Sequence, residues 1–190
     1  MRNDHTTRYS STLYLIWRLA ELEARRLTCP VIEPLHLLLG LSKCVDLDLP
    51  SIVNHELSNR DGVLEECLRE VRRLRNLFSA AGLNAAHFRH SLRRIPTKQD
   101  ALVTRSGALH RSPAAREVFA EAEHYAKLRE GVVYPVHLLL AVLCTEDAQR
   151  DRVLKEMGVN RERLHEVVVQ AALGQGLPAA AAGNEVAGWN

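Results

Sequence analysis

The feature that most constrains this chain of 190 residues is an internal repeat. The segment 34–39, PLHLLL, matches the segment 135–140, PVHLLL, at an offset of 101 residues. Upstream the offset becomes 102, and further matched positions are Ile16 with Val118, Trp17 with Phe119, Ala20 with Ala122 and Ala24 with Ala126. A repeat of this kind predicts two copies of one structural unit.

Downstream of these segments the two copies share the same helix stop and cap. Gly82-Leu83-Asn84 matches Gly158-Val159-Asn160 at an offset of 76, so the first copy carries an insertion of about 25 residues between Cys44 and Val71. Glycine supplies the left-handed residue that ends a helix, and asparagine caps the next one.

The spacing of apolar residues predicts four helices in each copy. We expect helices over 12–27, 34–43, 63–81 and 85–94, then a helix opened by Ser112-Pro113, and helices over 135–144, 149–157 and 161–173. The predicted fold is all-α, with two pseudo-symmetric four-helix repeats packed into one domain. The expected division is a flexible arm (1–11), repeat one (12–95, with the insertion at about 45–70), a linker (96–111), repeat two (112–173) and a disordered tail (174–190).

The composition limits the classes of protein that this chain could be. Hydrophobic residues make up 46% of it, which is enough for a packed core. No run of 18 apolar residues exists, and the apolar segment 13–17 is interrupted by Arg18, so we expect no membrane span and no signal peptide. The four cysteines lack paired spacing, so we expect mostly buried, reduced thiols in a cytoplasmic protein.

The ordered set of repeat motifs resembles the double-repeat N-terminal domain of Clp-type AAA+ unfoldases. The residues that carry the resemblance are Ser112-Pro113 before an alanine-rich helix, then segment 137–140 (HLLL), then Val153-Leu154 and Gly158-Val159-Asn160. The resemblance covers about 12–173. It implies a non-enzymatic module for protein or peptide recognition, whose partners are substrate proteins, adaptor proteins or a Clp-type AAA+ ATPase.

Two features of the sequence restrict what the resemblance implies. No phosphate-binding loop of the Gly-x-x-x-x-Gly-Lys-Ser/Thr type occurs, so we expect no nucleotide site of that kind and no other cofactor. In the family, a glutamate usually precedes the histidine of each repeat, and some members use it to recognise phosphorylated arginine. Leu35 and Val136 stand at these positions, so this activity is not carried over.

We predict that partners bind in the groove between the repeats, near the start of the first helix of each copy. The candidate residues are Ser10, Tyr14, His110, Arg111, Ser112, Arg116 and Tyr134. Arg116 is placed to hold an acidic group of a partner. A second hypothesis places a docking patch on the longer helix of the first copy, at Leu64, Cys67 and Leu68, if its extra turns project from the domain.

A nucleic-acid-binding regulator is the alternative function. The segment 72–111 contains nine Lys or Arg residues and a single acid, Asp100, whereas the rest of the chain carries 16 basic and 22 acidic residues. Clustered cations of this kind neutralise phosphates. Aromatic residues are sparse in the segment, however, and a solvated basic face is the simpler interpretation.

An enzyme using histidine or cysteine is the remaining rival. His36 and His137 occupy equivalent positions, so they would form either a functional pair or two structural hydrogen bonds near helix N-termini. The equivalence favours the structural interpretation. His87, His90 and the cysteines do not show the paired spacing of a zinc site, so we expect no metal.

Overall fold

The computed structural model describes residues 8–48, 62–95, 109–129 and 131–174. Within these ranges the backbone forms the helices α1 (Ser11–Arg26), α2 (Pro34–Val45), α3 (Val63–Ala80), α4 (Ala85–Leu92), α5 (Pro113–Lys127), α6 (Pro135–Cys144), α7 (Ala148–Glu156) and α8 (Arg161–Ala172). Four helices belong to each repeat. The prediction of an all-α fold made of two four-helix repeats is confirmed.

In the described part of the chain, four strands of two residues each join the repeats, and the sequence did not predict them. They are β1 (Arg8–Tyr9), β2 (Val31–Ile32), β3 (His110–Arg111) and β4 (Val132–Val133). β1 pairs in parallel with β4, and β2 pairs in parallel with β3. In each pair, the strand before the first helix of one repeat lies beside the strand before the second helix of the other. The strand pairs therefore cross-link the repeats with the same pseudo-symmetry as the helices.

These strands correct two predicted boundaries. Arg8 and Tyr9 lie in the expected arm and Ser11 already belongs to α1, while His110 and Arg111 lie in the expected linker. Pairing with the opposite repeat orders these residues, and a two-residue strand is too short to show periodicity in a sequence. The remaining expectations for the arm (1–7), part of the insertion (49–61), the linker (96–108) and the tail (175–190) lie outside the described residues.

Helices α2 and α6 lie at the centre of the core. Segment 36–42 of α2 and segment 135–143 of α6 are buried throughout. Gly40 permits a close approach between α2 and α1, because a Cβ atom at this position would lie 2.7 Å from the carbonyl oxygen of Ile16 in α1. A nearly all-apolar helix is expected at such a place, since neighbours cover every face of it.

The third helix is where the two copies differ most. α3 has 18 residues, whereas its counterpart α7 has nine. The extra turns do not project from the domain, because α3 packs against α1 and α2 of its own repeat and against α6 and α8 of the other. The long helix therefore adds a second junction between the repeats.

Candidate functional site

A pocket of about 220 Å³ opens between the repeats, and its walls are mostly aromatic. We call it the aromatic pocket, and its lining residues are Tyr9, Leu13, Tyr14, Trp17, Arg111 and Phe119. It lies in the groove between the starts of α1 and α5, which is where the sequence predicted the binding site.

The pseudo-symmetry of the fold explains why these side chains meet. At the offset of 102, Tyr9 is equivalent to Arg111 and Trp17 is equivalent to Phe119. Strands β1 and β3 bring the first pair into the groove, and helices α1 and α5 bring the second pair. The pocket therefore contains two pairs of repeat-related residues. It lies near the pseudo-twofold axis that relates the two copies.

The rings form an edge-to-face cluster. The ring centroids of Trp17 and Phe119 are 5.8 Å apart, at an interplanar angle of 71°. Tyr9 contacts both Tyr14 and Phe119 with centroid distances of 6.3 Å. Phe119 is 7% exposed, while Tyr14 is 62% exposed. The cluster thus has a packed base and an open rim at which an apolar side chain of a ligand could replace water.

Arg111 gives the pocket its positive charge. Its guanidinium carbon lies 4.8 Å from the ring centroid of Phe119 and 5.8 Å from that of Trp17, within the range of cation–π contacts. Among the described residues, no carboxylate forms an ion pair with Arg111. Its N–H groups are therefore available to a carbonyl or carboxylate of a ligand.

Tyr9 is fixed at the opposite wall by an acidic partner. Its hydroxyl donates a hydrogen bond to the Glu123 carboxylate on α5. Burial, together with this hydrogen bond and the charge of Glu123, raises the pKa of Tyr9 to about 12. Tyr9 is therefore neutral at physiological pH, and the phenol contributes a rigid apolar wall with one polar edge.

Of the seven residues predicted to bind partners, Tyr14 and Arg111 line the aromatic pocket. Ser10 and Ser112 lie next to it but are buried, and their hydroxyls already have partners. Ser10 donates a hydrogen bond to Glu70 over 2.7 Å, and Ser112 accepts one from the N–H of Ala115 as the cap of α5.

The other three predicted residues lie elsewhere. His110 and Arg116 are exposed and do not line the pocket, and Tyr134 lines a second cavity. Whether any of the seven binds a partner stays a prediction.

Four residues of the pocket were missed in the sequence, namely Tyr9, Leu13, Trp17 and Phe119. Tyr9 lies in the predicted flexible arm, while Trp17 and Phe119 lie at matched apolar positions of two predicted helices, where burial in the core is the usual expectation. The repeat offset could have identified Tyr9 as a residue of the site, because it aligns Tyr9 and Ser10 with Arg111 and Ser112. That alignment places Tyr9 at the same junction as residues that were already candidates.

The docking patch expected on α3 is not an exposed surface. Cys67 is 2% exposed, and Leu64 and Leu68 are half-buried against the core. The prediction of exposure is wrong for Cys67, because α3 packs against α1 and α2 of its own repeat and places the Cys67 thiol beside Thr12 and Cys44.

The two repeat-related histidines have the structural role that their equivalence favoured. The Nδ1 atom of His36 accepts a hydrogen bond from the N–H of Glu33 over 2.9 Å, and that of His137 accepts one from the N–H of Tyr134 over 3.1 Å. Both rings therefore cap the N-terminus of their own helix. His36 is fully buried, and burial lowers its pKa to about 4.

Several arginines of the basic segment 72–111 bind within the protein. Arg93 contacts the carboxylate of Glu23. Arg89 contacts the carboxylate of Asp46 and donates a hydrogen bond to the carbonyl oxygen of Ser42. Arg75 donates a hydrogen bond to the carbonyl oxygen of Val45. These contacts are made between helices, so a considerable part of the positive charge stabilises the fold. This observation weighs against the nucleic-acid alternative.

Two searches for other kinds of site found nothing in the described ranges. No group of three or more His, Cys, Asp or Glu side chains within these residues is arranged to hold a metal ion. No helix in the described part of the chain has the length and apolar character needed to cross a bilayer.

The arrangement of helices is that of the N-terminal domains of Clp-type unfoldases, so the resemblance noted in the sequence is confirmed at the level of the fold. The N-terminal domain of Hsp104 from Candida albicans aligns with 90% of this chain and 94% of its own, with a TM-score of 0.60 and 18% identity. The N-terminal domain of ClpD, a caseinolytic protease associated chaperone of Arabidopsis thaliana, aligns with 90% of this chain and 98% of its own, with a TM-score of 0.59 and 20% identity.

A structure from a malarial protein secretion system is similar to a comparable degree. It covers 87% of this chain and 95% of its own, with a TM-score of 0.58 and 19% identity. No protein-family model and no curated protein matches the sequence. At these identities the comparisons establish the fold, and function must be argued from the site.

Proposed function

We propose that this chain is a non-enzymatic module that recognises unfolded segments of substrate or adaptor proteins for a Clp-type AAA+ ATPase. The observation that carries the proposal is the aromatic pocket at the junction of the repeats. The similarity to domains of Hsp104 and ClpD supports the same class of function.

The pocket has the properties that a binding site for an apolar side chain requires. Aromatic rings offer a large apolar area at low cost in conformational entropy, and they are enriched where interfaces gain most of their energy. Tyr14 is largely exposed in the unbound chain, so binding would remove its ring from water. At about 25 cal/mol per Å² of buried apolar surface, one such ring contributes on the order of 1–2 kcal/mol.

Arg111 adds a polar anchor to this apolar surface. Its guanidinium lies over the ring of Phe119 and its side chain is exposed, so its N–H groups can bind a main-chain carbonyl beside the inserted side chain. A pocket that binds one apolar side chain and the main-chain carbonyl beside it recognises any exposed apolar residue and does not require a particular sequence. Unfolded protein segments present this combination, whereas folded proteins bury it.

The proposal is tested by measuring the affinity of the chain for an unfolded protein. The probe is fluorescently labelled lactalbumin that has been reduced and blocked with iodoacetamide, and the readout is fluorescence anisotropy. We expect Tyr14→Ala and Arg111→Gln each to weaken binding about tenfold, which corresponds to about 1.4 kcal/mol.

The matched control is Leu128→Ala, because Leu128 is 59% exposed but lies outside the pocket. This variant should bind as the unmodified chain does. Absence of binding by the unmodified chain, or equal losses in Tyr14→Ala and Leu128→Ala, would overturn the proposal.

A further inference from the structure

A thiol, an imidazole and a phenol from three different helices meet on repeat two. They belong to Cys144 at the end of α6, His165 of α8 and Tyr125 of α5. The Sγ atom of Cys144 lies 3.4 Å from Nε2 of His165, and the hydroxyl of Tyr125 donates a hydrogen bond to the same sulfur over 3.5 Å. We call these three residues the thiol cluster. None of them lines the aromatic pocket, so the proposed function does not use them.

The equivalent positions of repeat one carry charged residues instead. At the three repeat offsets, the counterparts of the thiol cluster are Glu23, Lys43 and Arg89. Glu23 and Lys43 form an ion pair with each other, and Arg89 forms one with Asp46. Repeat one therefore packs the same three helices without a thiol at this junction. The cluster is a chemical difference between the copies and not a requirement of the fold.

Cys144 differs from the other three cysteines in its access to solvent. Cys144 is exposed, whereas Cys29, Cys44 and Cys67 are buried. Burial also raises the pKa of the Cys44 thiol to about 12, and it raises that of Cys67. Buried thiols of this kind are inert, because attack on an electrophile requires an accessible sulfur that can lose its proton. Of the four thiols, Cys144 is the one that a dissolved reagent can reach.

His165 is placed to accept the proton of that thiol. A neutral imidazole accepts a hydrogen bond at one of its two nitrogens, and a nucleophile beside it can transfer its proton there. Nε2 of His165 contacts the sulfur directly, without an intervening group. The imidazolium that forms then lies beside the thiolate, and the opposite charges stabilise each other.

Tyr125 supplies a hydrogen-bond donor to the same sulfur. Burial, followed by the contacts with Cys144 and Glu121, raises the pKa of the phenol, so Tyr125 keeps its proton at physiological pH. A hydrogen bond donated to an ionised group favours the charged form, so the phenol favours a thiolate at Cys144. The carboxylate of Glu121 is a second acceptor for this hydroxyl, so we expect the contribution of Tyr125 to be smaller than that of His165.

We propose that Cys144 is a site of thiol–disulfide exchange with small disulfides, with His165 as the proton acceptor. The thiol passes its proton to Nε2 of His165, and the thiolate attacks one sulfur of a disulfide R–S–S–R. A bond forms between Sγ and that sulfur, the S–S bond of the reagent breaks, and the leaving thiolate R–S⁻ takes the proton from His165. Cys144 is oxidised to a mixed disulfide, and the other half of the reagent is reduced to R–SH.

The exchange should stop at the mixed disulfide. Conversion to an intramolecular disulfide requires a second accessible thiol next to the first. The other three cysteines of the chain are buried, so none of them meets this requirement. The inference goes beyond the proposed function, because it concerns a covalent modification on a different surface of the domain.

The site is tested by treating the full chain with glutathione disulfide at pH 7 and measuring its intact mass over time. We expect the addition of one glutathione per chain, its location on Cys144 by peptide mapping, and its removal by dithiothreitol. Cys144→Ser should gain no glutathione under the same conditions. Absence of modification at Cys144, or modification of a buried cysteine in its place, would overturn the proposal.

The variant His165→Gln tests the proton acceptor. Exchange at pH 7 should be about tenfold slower or more, because a positioned base is lost. At about pH 10 an ordinary thiol is ionised without a base, so the rates of the variant and the unmodified chain should converge there. Tyr125→Phe should slow exchange at pH 7 by a smaller factor. His90→Gln, at an exposed histidine outside the cluster, should react as the unmodified chain does.

The two pH values separate a chemical role of His165 from a structural one. Equal rates for His165→Gln and the unmodified chain at pH 7 would overturn its role as proton acceptor. A loss of rate that persists at pH 10 would also overturn it, because the substitution would then have changed access to the sulfur. The binding of unfolded protein is measured separately by anisotropy, so this proposal and the proposed function fail independently.

Discussion

Trp17 and Phe119 occupy the same position in the two repeats, and their rings meet edge to face with centroids 5.8 Å apart. The contact joins the first helix of one copy to the first helix of the other. Equivalent residues that contact each other must lie close to the pseudo-symmetry axis that relates the two copies. The junction created by the repeat is therefore also the place where the chain exposes its aromatic surface.

The buried histidine of repeat one predicts how stability depends on pH. The pKa of His36 falls from its usual 6.5 to about 4 on folding, because burial disfavours the charged ring more than the nearby Glu23 carboxylate favours it. The unfolded chain therefore binds this proton more readily, and stability is lost as the pH falls from about 6.5 towards 4. The loss should be roughly 2–4 kcal/mol, measured by urea unfolding at several pH values.

The variant His36→Gln tests the assignment of this pH dependence. Glutamine at the third position of a helix can accept the same hydrogen bond from Glu33, but it does not titrate. Stability of the variant should vary less between pH 6.5 and pH 4, whereas His90→Gln, at an exposed histidine, should behave as the unmodified chain does. An unchanged pH profile in His36→Gln would contradict the assignment.

An ion pair between α1 and α4 predicts a large loss of stability from a single substitution. Glu23 is 1% exposed, and the Arg93 guanidinium contacts both of its carboxylate oxygens. Burial alone would raise the pKa of Glu23, but Arg93 and Lys43 hold it below its usual range. Arg93→Ala would leave this buried charge with Lys43, whose Nζ lies 3.6 Å from Oε1, and with the weaker effect of Arg26.

We expect Arg93→Ala to lower the free energy of unfolding by about 3 kcal/mol at pH 7, measured by urea denaturation. Its neighbour Arg94 is exposed, and Arg94→Ala should change stability by less than about 0.5 kcal/mol. Similar losses of unfolding free energy in the two variants would show that the ion pair does not stabilise the packing of α1 against α4.

A substitution at Glu70 is expected to raise the stability of the chain, whereas Arg93→Ala is expected to lower it. Because burial raises the pKa of Glu70, the folded chain binds the proton more tightly than the unfolded chain, and stability falls as the pH rises through the folded-state value. Glu70→Gln removes this cost and keeps an acceptor for Ser10. The variant should be more stable than the unmodified chain at pH 7, by about 1 kcal/mol in thermal unfolding, with the difference shrinking at lower pH. A less stable variant at pH 7 would contradict this account.

The helices and their caps could be predicted from the sequence because the signals are local. Ser112 and Asn84 accept hydrogen bonds from the N–H groups of Ala115 and His87, as cap residues do. Each signal involves residues three or four positions apart, and the internal repeat presents most of them twice. Agreement between the copies separated these helices from chance patterns.

The strands and the cavities could not be predicted, because both depend on contacts between distant residues. Tyr9 pairs with Val133, and Ser10 donates to Glu70 sixty positions away. Nothing local in the sequence shows that α3 also packs against repeat two, where the cavity that Tyr134 lines is formed. The groove between the repeats was predictable, since pseudo-symmetry fixes where the copies meet, but the residues that fill it were only partly so.

The central claim is that unfolded protein segments bind in the aromatic pocket, and the emission of Trp17 tests it most directly. The chain contains one other tryptophan, Trp189, so the measurement uses Trp189→Phe, in which Trp17 is the sole reporter. Unlabelled lactalbumin would add tryptophan emission, so the ligand is an apolar peptide without tryptophan. The account predicts a saturable change in Trp17 emission whose midpoint matches the dissociation constant from anisotropy with the same peptide. Saturated binding with unchanged Trp17 emission would place the peptide elsewhere and contradict the account.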